Sequence, residues 1–175
     1  MSTDKNIEIS GQHNRYQVKK VLKQTGVVKD RVSYEKWDVD ERWFNNTDQI
    51  QLVSNNNELV VNEINVKLSA YKQQDILKNR LDETMFIDYE HTKTMLVNDR
   101  MTCYYCRGDV YILYKRARDM SQWSLDRINN SLGHNVDNVV ISCLKCNLER
   151  KTRDAAKFRD SKQMVVVRKD HGDIA

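Results

Sequence analysis

Hydrophobic and polar positions divide the chain into unequal stretches. Residues 1–61 are polar and rich in Asn, Gln and Lys. A helix is predicted there from Asn14 to Gln24, closed by Gly26 as a C-cap. Trp37, Trp43 and Phe44 give this extension something to bury, so it is predicted to be partly folded and partly helical. From Asn62 onward, Ile64, Leu68 and Tyr71 recur at helical spacing, followed by Ile76, Leu77 and Leu81. Asp88 stands where it would cap a second helix running to Asn98. These apolar stripes read as core packing, so 62–99 is predicted to be a helical region packed on the C-terminal module. Beyond Cys106 the pattern shortens. VYILY (110–114) is β-branched and aromatic, as a strand should be. WSLDRI (123–128) and VVIS (139–142) are two more strand candidates, with NNSLGHN (129–135) a loop by composition. Asn147 then opens a helix predicted to run to Lys162. Residues 100–160 are thus predicted to form one module and 161–175 a tail. The predicted fold class is α+β: helices first, then a strand-containing module. No internal repeat is visible.

Composition narrows the class. The 175 residues are 39% hydrophobic and 31% charged, a soluble globular balance. No apolar run approaches the roughly 20 residues that span a bilayer. Met1–Ser10 is polar, so no secretory signal is expected. The net charge of +4 and pI near 8.8 are mildly basic and only weakly suggest a nucleic-acid partner. Proline is absent, and nothing physical explains that beyond a bias toward Asn, Lys and Asp.

The cysteines change the picture most. There are four, in two pairs: Cys103-Tyr-Tyr-Cys106 and Cys143-Leu-Lys-Cys146. In a reducing compartment such pairs read as a metal site before a disulfide framework. A CxxC turn presents two thiolates to one ion, and two such turns complete a closed tetrahedral site. Thiolates are soft ligands, so zinc fits, and a closed site leaves no position for water. The expected zinc is therefore structural. Just beyond the second pair, residues 147–169 carry eight Lys or Arg against three acids. A basic stretch is often only a solvated face. Beside a metal motif, the same charges gain a reading as phosphate contacts.

Between and beyond the pairs lies WSLDRINNSLGHNVDNVVISCLKCNLERK (123–151). Together with YKQQD (71–75), CYYC (103–106) and QWSLDRINNSLGHN (122–135), it resembles the HNH (ββα-metal) endonuclease family. The likeness is to the zinc-bound members of the phage recombination endonuclease VII type, and nearest to HNH proteins of large DNA viruses. It covers about residues 62–153. It implies a β-hairpin followed by a helix around one catalytic divalent ion, Mg²⁺ or Mn²⁺, held by hard oxygen ligands. Carried over by position, Asp126 is the metal-binding acid and Asn147 the second metal ligand. Asn138 is the middle Asn that braces the loop. The implied partner is nucleic acid, most directly DNA, with no membrane role and a homodimer left open. The implied location is an intracellular, reducing compartment: cytoplasm or nucleus, including those of a virus-infected host, or a virion.

One position departs from the family. The residue after the acid is usually a His that activates water, and here it is Arg127. Arginine does not lose its proton at working pH and cannot be a general base. Three readings stay open. Another group supplies the base, with His134 first choice and a tyrosine second. Alternatively, Arg127 grips the scissile phosphate while hydroxide attacks, or the site is inactive and the module only binds. Arg127, Arg150, Lys151, Arg153 and Lys157 are the expected nucleic-acid contacts, with Lys151 on the same helical face as Asn147. A zinc-stabilised nucleic-acid-binding protein without turnover is the main rival function. A purely structural or virion-associated protein is the third. The N-terminal hundred residues hold no second cluster of ligand-spaced His, Asp and Cys, so they are expected to supply contacts and not chemistry.

Overall fold

Asn45, Asn57, Asp88 and Asp154 each precede a helix, and each accepts a backbone N–H of the first turn with its side-chain oxygen. In the computed structural model, which describes residues 39–116 and 118–165, they open α1 (Asn46–Ser54), α2 (Glu58–Leu77), α3 (Tyr89–Asn98) and α5 (Ala155–Gln163). A short 3-10 turn, Glu41–Phe44, precedes α1. Between α3 and α5 lie β1 (Trp123–Arg127), β2 (Val139–Cys143) and α4 (Leu144–Arg150). The fold is mixed α+β. The predicted helix at Asn14–Gln24, with Gly26 and Trp37, lies outside the described residues. No described helix is long and apolar enough to cross a membrane.

The strands pair antiparallel, with Trp123 opposite Cys143 and Arg127 opposite Val139. α4 follows β2 without a loop, because Cys143 ends the strand and caps the helix, its Sγ accepting the Cys146 N–H at 3.4 Å. Val53, Ile64, Ile87, Leu96, Met101, Tyr105, Leu113, Trp123, Leu125 and Ile141 belong to one buried cluster. The helices and the hairpin therefore share a core. Each such side chain contributes about 1.5–3 kcal/mol by leaving water. Between α2 and α3, residues 85–87 dock on the loop after β1: Ile87 N–H donates to His134 O and Val136 N–H to Met85 O.

Four expectations change. α2 starts at Glu58, before the predicted boundary at 61/62, because Asn57 caps it. Its core stripe runs Val60, Ile64, Leu68 and Asp75, so Ile76 and Leu77 face solvent, Leu77 at 82% exposure. The stretch 110–114 is buried but forms no strand. Beyond an isolated bridge of Tyr111 with Gln122, its backbone is taken by a side chain: Gln49 Oε1 accepts the N–H of Ile112 and of Leu113, and Gln49 Nε2 donates to Leu113 O and Trp43 O. Finally, the predicted Asn147–Lys162 helix is two helices. Asn147 is the fourth residue of α4, and Lys151 ends that helix at φ 55°, a left-handed conformation. Asp154 then caps α5, which continues past the predicted tail boundary at 161.

Gln49 is fully buried with every polar atom satisfied. Gln49→Ala would strand two N–H groups and a carbonyl in the core. Unsatisfied buried groups cost about 1–3 kcal/mol each, so a loss of at least about 2–3 kcal/mol is expected in chemical denaturation. A loss under about 1 kcal/mol would mean that this side chain is not what orders 110–114.

Candidate functional site

The four cysteines converge. Cys103 and Cys106 come from the turn between α3 and β1, Cys143 from the end of β2 and Cys146 from the first turn of α4. Their Sγ atoms all lie within 4.8 Å of one another, and Cys106 and Cys143 are 4.0 Å apart. None is in a disulfide. A tetrahedral site with metal–sulfur bonds of about 2.3 Å needs sulfurs about 3.8 Å apart, so the cluster has the right size and donor chemistry for zinc. The hydrogen bond from Cys143 holds the Cys103 thiol below its usual range, and the same contact raises Cys143. The cysteines can hold one soft divalent ion as a closed structural site.

Strand geometry decides where Asp126 and Arg127 go. Consecutive strand residues point to opposite faces. Ser124 and Asp126 face α4, where Asn147 Nδ2 donates to Ser124 Oγ and to Leu125 O, at 3.1 and 3.2 Å. Arg150, one turn further along α4, meets Asp126 with both sides of its guanidinium. Nε donates to Oδ2 at 2.5 Å and Nη2 to Oδ1 at 2.8 Å. Tyr105 adds a hydroxyl bond to Oδ2 at 2.7 Å. Burial, joined by that bond, raises the Tyr105 pKa, so the phenol stays protonated and serves as a donor. A carboxylate has about four lone-pair sites. Three of those on Asp126 are used, leaving one on Oδ1. Asn147 Oδ1 accepts no hydrogen bond from a described residue. Those two oxygens keep unused acceptor capacity between β1 and α4, although Asp126 is only 6% exposed.

The structure corrects the expectation that Arg150 contacts phosphate. It is 1% exposed, and beyond Asp126 it donates to Arg127 O, Arg153 O and Asn130 Oδ1. No sequence signal marks this, because one arginine among many basic residues looks like a surface charge.

Arg127 faces the other way, toward α2. Its Nη1 donates to Leu132 O at 3.0 Å and stands 3.9 Å from Asp75 Oδ1, with the side chain only 12% exposed. Burial lowers its pKa, partly offset by Asp75. Asp75 itself is fully buried on α2. Its Oδ2 accepts the His134 backbone N–H at 2.6 Å and lies 2.9 Å from His134 Nδ1. Tyr71, one turn earlier, stacks on the His134 ring at 4.5 Å and 28°. Burial lowers the His134 pKa below its usual 6.5, against the opposing pull of Asp75, so the ring is neutral at pH 7. Tyr71 is pushed up to about 12 by burial and stays protonated. Asn138 braces the connecting loop: Nδ2 donates to Asn129 O and Gly133 O, and Oδ1 accepts the Asn129 N–H.

Asp75 closes the YKQQD stretch of the resemblance, yet motif reading gives it no role, although a signal is present. In the stripe Val60, Ile64, Leu68, Tyr71, Asp75, an acid occupies a position where helical spacing puts a core residue.

The remaining basic residues are exposed. Lys151 is not on the Asn147 face, since α4 ends before it. Its carbonyl accepts from Asn130 Nδ2. Arg153 folds back on its own helix end, donating to Glu149 O and Arg150 O, with its guanidinium 4.5 Å over Phe158. Lys151, Arg153 and Lys162 line an open groove of about 520 Å³ between α4 and α5, with Glu149 paired to Lys162. Lys157 is exposed on α5.

No protein-family model, curated protein or solved structure matches this chain.

Proposed function

We propose that this protein is a divalent-metal-dependent endonuclease of the HNH type, acting on the phosphodiester bonds of DNA. The observation that carries the reading is the hairpin–helix unit β1–β2–α4, stapled at its base by four cysteines, with Asp126 and Asn147 both lying between β1 and α4. Open oxygens of those two residues would hold Mg²⁺ or Mn²⁺, with Arg150 and Tyr105 orienting the carboxylate as outer partners do around metal ligands. Such an ion supplies charge stabilisation at phosphorus and at the leaving oxygen.

The chain's own residues do the rest. His134, neutral and within the loop braced by Asn138, takes a proton from the attacking water. The water oxygen bonds to phosphorus, the P–O3′ bond breaks, and the 3′ oxygen is protonated from solvent. Arg127 holds the His134 loop through Leu132 O, which replaces its expected grip on phosphate as its first task. Lys151, Lys157 and the groove between α4 and α5 supply non-specific phosphate contacts.

The rival reading, a nucleic-acid binder without turnover, is favoured by one specific contact. Arg150 already neutralises Asp126 and weakens its pull on a cation. An assay separates the two: zinc-loaded protein with supercoiled, branched and single-stranded DNA, in Mg²⁺ or Mn²⁺ and in chelator. Metal-dependent cleavage supports the nuclease. Binding without cleavage of any form favours the rival. In either case affinity should fall steeply with salt, and Lys151→Ala or Lys157→Ala should each flatten the log–log slope by about 0.9 on duplex. A wild-type slope near zero would remove the nucleic-acid partner altogether.

A further inference from the structure

The fold buries a carboxylate where a hydrophobic side chain would stabilise α2 more simply. Asp75 lies on the core stripe of that helix at 0% exposure. An isolated buried carboxylate is expensive, so its partners show what it is for. One oxygen, Oδ2, is used twice, by the backbone N–H and by ring Nδ1 of the same residue, His134. The other, Oδ1, has no hydrogen-bond partner and faces Arg127 at 3.9 Å. The surroundings are shaped to this contact. A Cβ on Gly133 would fall 2.5 Å from Arg80 O and 3.0 Å from Asp75 Oδ2, so only glycine lets the loop come this close. The Tyr71 ring lies against the imidazole and fixes its plane.

We propose that Asp75 is the positioning residue of the site, holding His134 as the Nδ1–H tautomer so that Nε2 presents its lone pair as general base. This rests on the nuclease reading and adds to it the residue that does the orienting. A carboxylate oxygen only accepts, so the proton between Asp75 and His134 sits on Nδ1. The other ring nitrogen is then the basic one. Nε2 makes no hydrogen bond to a described residue, and the His134 side chain is 5% exposed. The pair thus stands in for the histidine that Arg127 displaces from the strand. It takes its orientation from a helix residue 59 positions upstream.

The test uses the full chain, zinc-loaded. Two-dimensional ¹⁵N–¹H spectra of the imidazoles, assigned with His134→Gln, report the tautomer of the wild-type protein directly. Nδ1–H is expected, and Nε2–H would overturn the proposal without any variant having to fold. In cleavage assays Asp75→Asn, which keeps the shape, should lower kcat by roughly 10²–10⁴, the range of a positioned base, with KM changed less than about threefold. His134→Gln should fall by the same factor, and the double variant no further. A wild-type protein that cleaves, with Asp75→Asn equally active, sinks the positioning role and leaves the nuclease standing. A wild-type protein that cleaves nothing sinks both.

Discussion

Stripping the metal from the four cysteines should unfold residues 100–155, not merely loosen them. The turn at 103–108, the end of β2 and the first turn of α4 meet at this cluster. Cys103 and Cys146 lie within the buried core beside Tyr105 and Ile141. Among the described residues, the backbone tie between the 103–106 turn and the hairpin is the Tyr104 N–H to Ile141 O bond. Metal and folding would therefore be linked, and structural zinc sites contribute on the order of 10 kcal/mol at neutral pH. That is comparable to the whole stability of a typical domain, about 5–15 kcal/mol. Cys143→Ala should have the largest effect of the single changes, because it removes a ligand and the cap of α4 together. Circular dichroism and a chromophoric zinc-release assay would measure both. A cooperative melt unchanged after complete metal removal would refute the zinc reading.

The second large effect concerns Asp126 and Arg150. Asp126→Ala should cost about 3–5 kcal/mol, because it leaves the 1%-exposed guanidinium of Arg150 buried without its counter-charge. Loss of cleavage in that variant alone would therefore say little about chemistry. Removing both charges is the informative change. Asp126→Ala with Arg150→Met should recover part of the stability, since it removes the unpaired buried charge but still leaves Tyr105 Oη and the acceptors of Arg150 without their partners. If Asp126 holds the ion, the stable double variant still cleaves nothing. Full cleavage by the double variant would dismiss Asp126 as a metal ligand. A single variant losing under about 1 kcal/mol would dismiss the ion pair. Arg127→His, which restores the family's usual residue, addresses the remaining question. Arg127 is turned toward Asp75 and Leu132, so a histidine there should disturb the loop and lower activity. A rise would show that the strand position can still host the base.

Much of this is legible in the residues themselves. Two CxxC pairs with no cysteine left over define a four-thiolate site wherever the chain brings them together, because the ligand chemistry is local to each turn. Asp88 as a cap, the strands at 123–127 and 139–143, and the loop between them also follow from near-neighbour rules: capping geometry, strand-forming composition and turn composition. The resemblance to HNH nucleases likewise rests on contiguous motifs, and those motifs contain Asp126, His134, Asn138 and Asn147.

Which buried polar group meets which is settled by packing alone. The stretch from 110 to 114 has strand composition, but a glutamine 63 residues before Ile112 takes its backbone bonds, and no local pattern encodes that. Arg150 looks like one more surface cation until α4 lies on β1 and turns it into the partner of Asp126. Asp126 and Arg127 are adjacent in sequence, yet the pleat sends one to α4 and the other to α2. Asp75 becomes meaningful only when Gly133 lets the loop approach within hydrogen-bond distance. In each case the deciding term is the penalty for burying an unpaired charge or amide. That penalty is set by whatever group the fold places within about 3 Å, and proximity of that kind is a property of packing, not of spacing along the chain.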